Sequence, residues 1–356
     1  MEKYSRAEIF QRFNGVGSWS IEIDSEVFDM GLIEWQGGIR VLRNGEAFFE
    51  GLTLMVEDSN ADEPDSRIVL AGADYMHYLA QRVVLPDPNG PPYSGAEHDV
   101  RTGPADDVIK AYVNNHVGAL AKATRIVSGI TVASPLGQAS TVTGRGRFQT
   151  VLELCQDKAL EGGDIGFRFN GSEFETFVPA DLSASVYFSR DRGTLMRYKR
   201  RVEMPLANYI IGGGSGEGTA RNFEELGVQG SLNIYGRNEW FYDYRNADGT
   251  ELYSAVVAKL SEMSEKVSVE IEAGDTEGQQ FGRDYHLGDI ATVIIPELTY
   301  QQVIREVRIT LDANGEKVYP MIGSPGSRSR GELGAIAGIY DSQRQTIKRV
   351  SSRERV

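Results

Sequence analysis

The feature that most constrains this chain is the repeated meeting of two strand-like runs across an Asn-Gly pair. Asn-Gly dipeptides at 44–45, 170–171 and 314–315 each stand between such runs. Both residues tolerate the positive φ of a two-residue type I′ turn, so each site predicts an antiparallel hairpin. Within residues 18–24, Trp19, Ile21 and Ile23 fall on one side and Ser18, Ser20 and Glu22 on the other, the period of a half-buried strand. Leu52, Leu54 and Val56 alternate in the same way with Thr53, Met55 and Glu57, and Ile68 and Leu70 mark another strand. Glycine is abundant, 40 of 356 residues, which suits many tight turns. Residues 1–75 therefore predict an antiparallel meander.

Helical spacing appears after residue 75. A short helix is expected before Pro86. A longer one follows Pro104, with Asp106 and Asp107 at its positive end and Val108, Ile109, Tyr112, Val113 and His116 in one stripe. A third places Phe148, Val151, Leu152, Cys155 and Leu160 inward and stops at Gly162. With the hairpin at Asn170-Gly171, residues 76–190 read as an α+β insert. Strands resume near 195, a helix spans 249–266 with Leu252, Val256, Leu260 and Met263 on one face, and the last strands flank Asn314-Gly315. The fold class expected is α+β and rich in β-strand.

Charge and composition exclude several classes. Lys and Arg number 37 against 51 Asp and Glu, a net charge of −14, which argues against a general duplex-DNA binder. Cys155 is the single cysteine, so no intrachain disulfide or zinc-finger site is available. No apolar run approaches the ~20 residues of a membrane helix, and the first residues lack the charged-then-apolar pattern of a secretory signal. Residues 326–356 differ in being basic, and Leu333, Ile336, Ala337, Tyr340, Ile347 and Val350 have roughly helical spacing. This tail reads as a docking arm or a solvated terminus.

No catalytic template fits. Residues 212–218, Gly-Gly-Gly-Ser-Gly-Glu-Gly, lack the Lys-Ser/Thr of a phosphate-binding loop and miss a nucleophile elbow at Glu217, so they read as a loop between strands. His77, His98, His116 and His286 are scattered and read as surface or satisfied core residues. A calcium-loop imitation at Asn246, Asp248 and Gly249 fails at its first and twelfth positions, Tyr244 and Ala255. Cys155 on an apolar helix face reads as a small hydrophobe. The cluster Arg197, Lys199, Arg200 and Arg201 reads as a charged edge strand or an intersubunit ion-pair surface. Accordingly no catalytic, cofactor-binding or metal-binding residue is assigned, and no cofactor is expected.

Several segments together resemble a known family. They include FNGVGSWSIEI, RNGEAFFEGL, ADYMHYLAQRVVLPDP, HDVRTGPADDVIKAYVNNHVGALAKATR, NYIIGGGSGEGTAR, DYHLGDIATVIIPEL and YPMIGSP. In order and spacing they resemble the tail-tip or baseplate hub proteins of long-tailed, siphovirus-type bacteriophages, in a family typical of actinobacterial siphophages. The resemblance runs from about residue 10 to 325.

It implies two small β-barrel-like tube domains, 1–75 (completed by strands near 195–215) and 191–325, with the α+β domain 76–190 inserted. It implies a non-enzymatic, ring-shaped homotrimer at the virion's tail tip, capping the tail tube and letting DNA pass without specific binding. Its partners would be further copies of itself, a distal tail protein, the tape measure and other tail-tip proteins. An acidic lumen suits that passage, because like charge disfavours adsorption. Two alternatives are a tail-associated cell-wall hydrolase and a receptor- or carbohydrate-binding tip protein using Trp35 or the run Trp240-Phe241-Tyr242. About 30 residues beyond the resemblance are too few for a separate hydrolase domain.

Overall fold

The period-2 runs at the N-terminus form β1 (Arg6–Arg12), β2 (Ser18–Asp24), β3 (Gly38–Arg43), β4 (Glu46–Asp58) and β5 (Arg67–Asp74). The computed structural model describes residues 4–323 apart from 26–28, 30, 32, 34–37, 44, 59–66, 92, 94, 246, 274–275, 277 and 297. Trp35, Asn44, Asn246 and the basic tail 326–356 thus lie outside the described residues. Next come α1 (Met76–Gln81), β6 (Asp99–Pro104), α2 (Ala105–His116), β7 (Thr131–Val132), β8 (Thr141–Gly146), α3 (Val151–Glu161), β9 (Gly166–Asn170) and β10 (Glu173–Phe177). The remainder is β11 (Tyr187–Phe188), β12 (Leu195–Glu203), β13 (Tyr209–Gly213), β14 (Phe223–Gly227), α4 (Gln229–Tyr235), β15 (Glu239–Asp243), α5 (Gly249–Met263), β16 (Lys266–Ala273), β17 (Ile290–Ile295), β18 (Leu298–Asp312) and β19 (Gly315–Gly323). The β-rich α+β class read from the sequence holds.

Eleven strands form the main sheet, whose path runs β12-β16-β19-β18-β1-β2-β5-β4-β3, with β17 on β18 and β11 on β17. N-terminal and C-terminal strands are interleaved: β1 pairs antiparallel with both β2 and β18, Ile9 standing opposite Trp19 and Ile309. The path is open, with β3 and β12 at its ends, and no closed barrel is found among the described residues. Of the strands near 195–215, β12 pairs with β16, while β13 lies in a separate sheet between β14 and β15.

Trp19 is the largest side chain of the sheet's core, packed with Ile9, Ile23, Phe188, Ile271 and Ile304, none more than 2% exposed. Burying each such side chain contributes roughly 1.5–3 kcal/mol. The indole N–H donates to the Leu52 carbonyl at 3.1 Å. Gly72 makes room for that bond, since a Cβ there would stand 1.7 Å from the Leu52 oxygen and 2.7 Å from the indole nitrogen. A bulge between Thr53 and Met55 interrupts the expected alternation of Leu52, Leu54 and Val56, leaving Leu54 as the unpaired extra residue.

Two further cores hang from this sheet. Between β5 and β11, helices α1–α3 close over Ile109, Tyr112, Val113, Val151, Cys155 and Phe174. The predicted stripe of α2 is buried in full. Pro104 precedes α2 as its N-cap, with extended ψ, where the sequence suggested the first turn. Phe148 corrects the reading of the third helix: its φ is +60° and its ring is 40% exposed, because α3 begins only at Val151. Thr150 and Glu153 form a reciprocal capping box that sets this start, worth about 1 kcal/mol. Gly162 is the C-cap, as expected.

Between β12 and β16 lies a small lobe, in which α5 packs Leu252, Val256, Leu260 and Met263 against Ile210 of the sheet β14-β13-β15. The helix ends at Met263, three residues short of its expected limit.

Candidate functional site

The candidate site is the junction where the insert meets the main sheet. It begins in the turn after β1, at Asn14, which adopts a left-handed φ of +53°. Asparagine accepts this conformation more readily than most residues. Its side-chain amide works like a piece of strand: Nδ2 donates to the Ile165 carbonyl at 2.7 Å and Oδ1 accepts from the Phe167 N–H at 2.7 Å. Gln156 of α3 adds a bond from its Nε2 to the Asn14 carbonyl at 2.6 Å. One buried residue therefore makes three bonds of the joint.

Arg305 supplies the second tie. The register of β18 on β19 shifts between Ile304 and Glu306. Arg305 sits in that bulge, and both its terminal nitrogens donate to the Asp164 carboxylate of the insert. Its Nε donates to the Gly323 carbonyl at 3.2 Å, and its guanidinium lies 4.9 Å from the Phe13 ring centre. The arginine is 8% exposed and Asp164 half-buried, so removal of the aspartate strands a buried cation. Beside it, Arg12 Nε donates to Glu306 at 2.7 Å.

A cleft of about 460 Å³ opens along this joint. Its walls are aromatic: Phe13 meets Phe177 edge-on at 6.1 Å, Phe48 meets Phe281 at 6.0 Å, and Tyr75 meets Phe169 at 6.0 Å. Asp74 accepts from the Gly17 and Met76 N–H groups at 2.8 and 3.0 Å. Burial pushes its carboxyl up to about 7, against the pull of those two donors and of Arg12. Both carboxylate oxygens are committed to backbone donors, so Asp74 fixes the path from β5 into α1.

A second joint connects the insert to the small lobe. Arg145 of β8 grips Glu251 of α5 through two bonds, 2.9 and 3.1 Å. Lys158 of α3 donates to the Thr143 carbonyl at 3.1 Å and to Glu161 at 2.5 Å, with its ammonium 5.9 Å from the Tyr244 ring centre. Since β12 and β16 join the lobe to the main sheet, the three cores brace one another in a closed triangle.

The residues singled out in the sequence take plain structural places. Gly212 and Gly213 belong to β13 rather than to a loop. A Cβ at Gly212 would stand 2.3 Å from Val256, and one at Gly214 2.4 Å from the Ala247 carbonyl, so close packing beneath α5 accounts for them. Ser215 donates to Asp248, which also accepts from Asn222 at 2.6 Å. His116 and His77 are buried in the insert, His98 lies near Glu97, and His286 lies near Asp289. Cys155 is fully buried, and burial raises its thiol far above the usual range. Among the described residues no three His, Cys, Asp or Glu side chains are grouped to hold a metal ion. Nor is any helix among them long and apolar enough to cross a membrane. Trp240 and Phe241 are about half exposed, whereas Tyr242 stacks on Tyr244 at 5.4 Å. The basic cluster occupies β12, at one end of the main sheet.

The profile of the siphovirus ReqiPepy6 Gp37-like proteins matches residues 1–324. The chain belongs to this family. The siphovirus tail resemblance read from its motifs thus holds over nearly the whole length. No curated protein sequence matches the chain.

Solved structures share the fold of this Gp37-like chain at low sequence identity. The 43 kDa tail protein of prophage MuSo2 from Shewanella oneidensis aligns with a TM-score of 0.61 and 12% identity, covering 90% of this chain and 94% of that one. A tail protein from Neisseria meningitidis MC58 aligns at 0.55 and 11%, covering 91% and 92%. Prophage tail protein gp18 from Listeria monocytogenes EGD-e aligns at 0.55 and 9%, covering 96% and 94%. The fold is that of phage tail proteins.

Proposed function

We propose that this Gp37-like protein is a structural, non-enzymatic component of the phage tail tip. It forms a ring-shaped homotrimeric hub that caps the tail tube and joins it to the tip. DNA passes through the ring during ejection without specific binding, helped by the −14 charge of each copy. Within each copy, residues 1–75 and 191–325 act as paired tube domains and 76–190 as an outer domain, contacting the distal tail protein, the tape measure and other tip proteins.

The observation that carries this reading is the triangle of cores. Asn14 and Arg305 tie the main sheet to the insert, Arg145 ties the insert to the small lobe, and β12 and β16 join the lobe back to the main sheet, so the body transmits load without a hinge. The open ends of the main sheet offer backbone groups to neighbouring copies.

Sedimentation at tens of micromolar tests it. The expected mass is three times the 39.2 kDa of one chain. A persistent monomer, or lytic activity on a peptidoglycan zymogram, overturns it.

A further inference from the structure

Apart from the two-residue β11, four strands end the main sheet and the small lobe's sheet: β3 and β12 in the first, β14 and β15 in the second. An open edge is a template for pairing with another chain. The edges differ in how their charges are met. On β3, Arg40 is held by Glu50 at 2.6 Å and Arg43 by Glu316. On β15, Glu239 is held by Arg237 at 2.5 Å, and Asp243 by Arg221 and Arg245. These two edges are neutralised from within.

The other two keep a surplus. Along β12, Arg201 pairs with Glu203 and Arg197 lies 3.8 Å from Glu272, but Lys199 and Arg200 make no ion pair among the described residues. Along β14, Glu225 accepts from the Tyr209 hydroxyl at 2.7 Å, and neither it nor Glu224 makes an ion pair among the described residues. One edge carries uncompensated positive charge and the other uncompensated negative charge. Two β12 edges brought together antiparallel set cations against cations, which is unfavourable.

We propose that β12 of one copy pairs edge-to-edge with β14 of a second copy. An antiparallel register with Arg200 opposite Glu224 sets Lys199 opposite Glu225 and Tyr198 opposite Leu226, complementary at each position. The contact is heterologous, one surface meeting a different surface of the next copy, and such contacts close into rings when the rotation allows. This inference rests on the self-association proposed above and names the surfaces that make it.

Charge reversal in the full-length chain tests it. Lys199→Glu with Arg200→Glu reverses β12. Glu224→Arg with Glu225→Lys reverses β14. A third variant carries all four changes. Sedimentation is read beside far-UV circular dichroism and thermal melting, so that unfolded variants are recognised. Each two-residue reversal is expected to weaken self-association by about 100-fold or more, because like charges then face each other, and the four-residue variant is expected to restore the wild-type mass. An assembly that survives either reversal, or a folded four-residue variant that stays apart, overturns this interface while leaving the hub reading intact. If one of the reversals unfolds the chain, the four-residue variant still decides. A wild-type chain that never self-associates overturns both.

Discussion

Asn14 lies between β1 and β2, yet its side-chain amide is the direct partner of Phe167, accepting its backbone N–H at 2.7 Å. A turn residue of the main sheet thereby extends the edge of a strand in the insert. Asn14→Ala removes the donor to Ile165 and the acceptor for Phe167 together, leaving buried backbone groups without partners. The expected loss is about 2–6 kcal/mol, from two unmet buried groups at roughly 1–3 kcal/mol each. Denaturant unfolding measures the loss, and faster amide exchange at Phe167 locates it. A loss below 0.5 kcal/mol would show that the joint does not depend on this residue.

Arg305 and Asp164 form the charged half of the same joint. Arg305→Met leaves the Asp164 carboxylate and the Gly323 carbonyl facing the gap, and should destabilise by about 3 kcal/mol. Asp164→Asn, which keeps the shape, should cost less. The double variant should cost less than the sum of the two, and a double-mutant cycle in urea reads the coupling. Strict additivity would mean that the contact contributes nothing.

Acid should loosen the insert before the main sheet. His116 is fully buried: Nε2 accepts from the Leu85 N–H at 3.0 Å, which leaves the ring proton on Nδ1 to donate to the Tyr112 carbonyl at 2.8 Å. Burial lowers its pKa to about 4, and that of His77 likewise. Each folded-state value lies below the unfolded 6.5, so the stability involved is full above pH 6.5 and is lost as pH falls toward 4. For His116 the loss reaches about 3 kcal/mol at pH 4. Melting curves from pH 7 to 4 should show a steeper acid decline in the wild type than in His116→Gln. Parallel declines would remove His116 as the cause.

Gly72→Ala tests the packing around Trp19. The added methyl would stand 1.7 Å from the Leu52 carbonyl oxygen and would displace the indole bond. Overpacking of this kind costs about 1–3 kcal/mol, more where backbone must shift. The expected outcome is a lowered melting temperature with altered Trp fluorescence. An unchanged emission spectrum would mean that the sheet accommodates the methyl elsewhere.

Local chemistry made much of the fold legible. Alternation found β2 and β5, the Asn-Gly pairs at 170–171 and 314–315 found two hairpins, and the apolar stripes found α2, α3 and α5. What escaped is non-local or depends on one inserted residue. The pairing of β1 with β18 has no local signature, because nothing near Ile9 points to Ile309. Bulges at Leu54 and Arg305 break a period-2 reading at the residues they add. Phe148 matched the helical period by chance, whereas Thr150 with Glu153 three positions later was the usable sign of where α3 starts. The joint was hidden for a related reason. Asn14, followed by Gly15, looks like an ordinary turn, and only the folded chain shows its amide bonded to β9 and the residue before it. The helix α4 has no buried residue, and so left no apolar stripe to find.

The interleaving of first and last strands bears on how the chain is made. Arg12 and Glu306 are bonded yet stand 294 positions apart, so β1 leaves the ribosome long before β18 exists to flank it. The insert's core, from Met76 to Phe174, is complete while the main sheet still lacks its middle. Nascent-chain hydrogen exchange should accordingly protect α2 first and β1 last. The N-terminus is then the final piece to settle, closing around a nucleus that was synthesised after it.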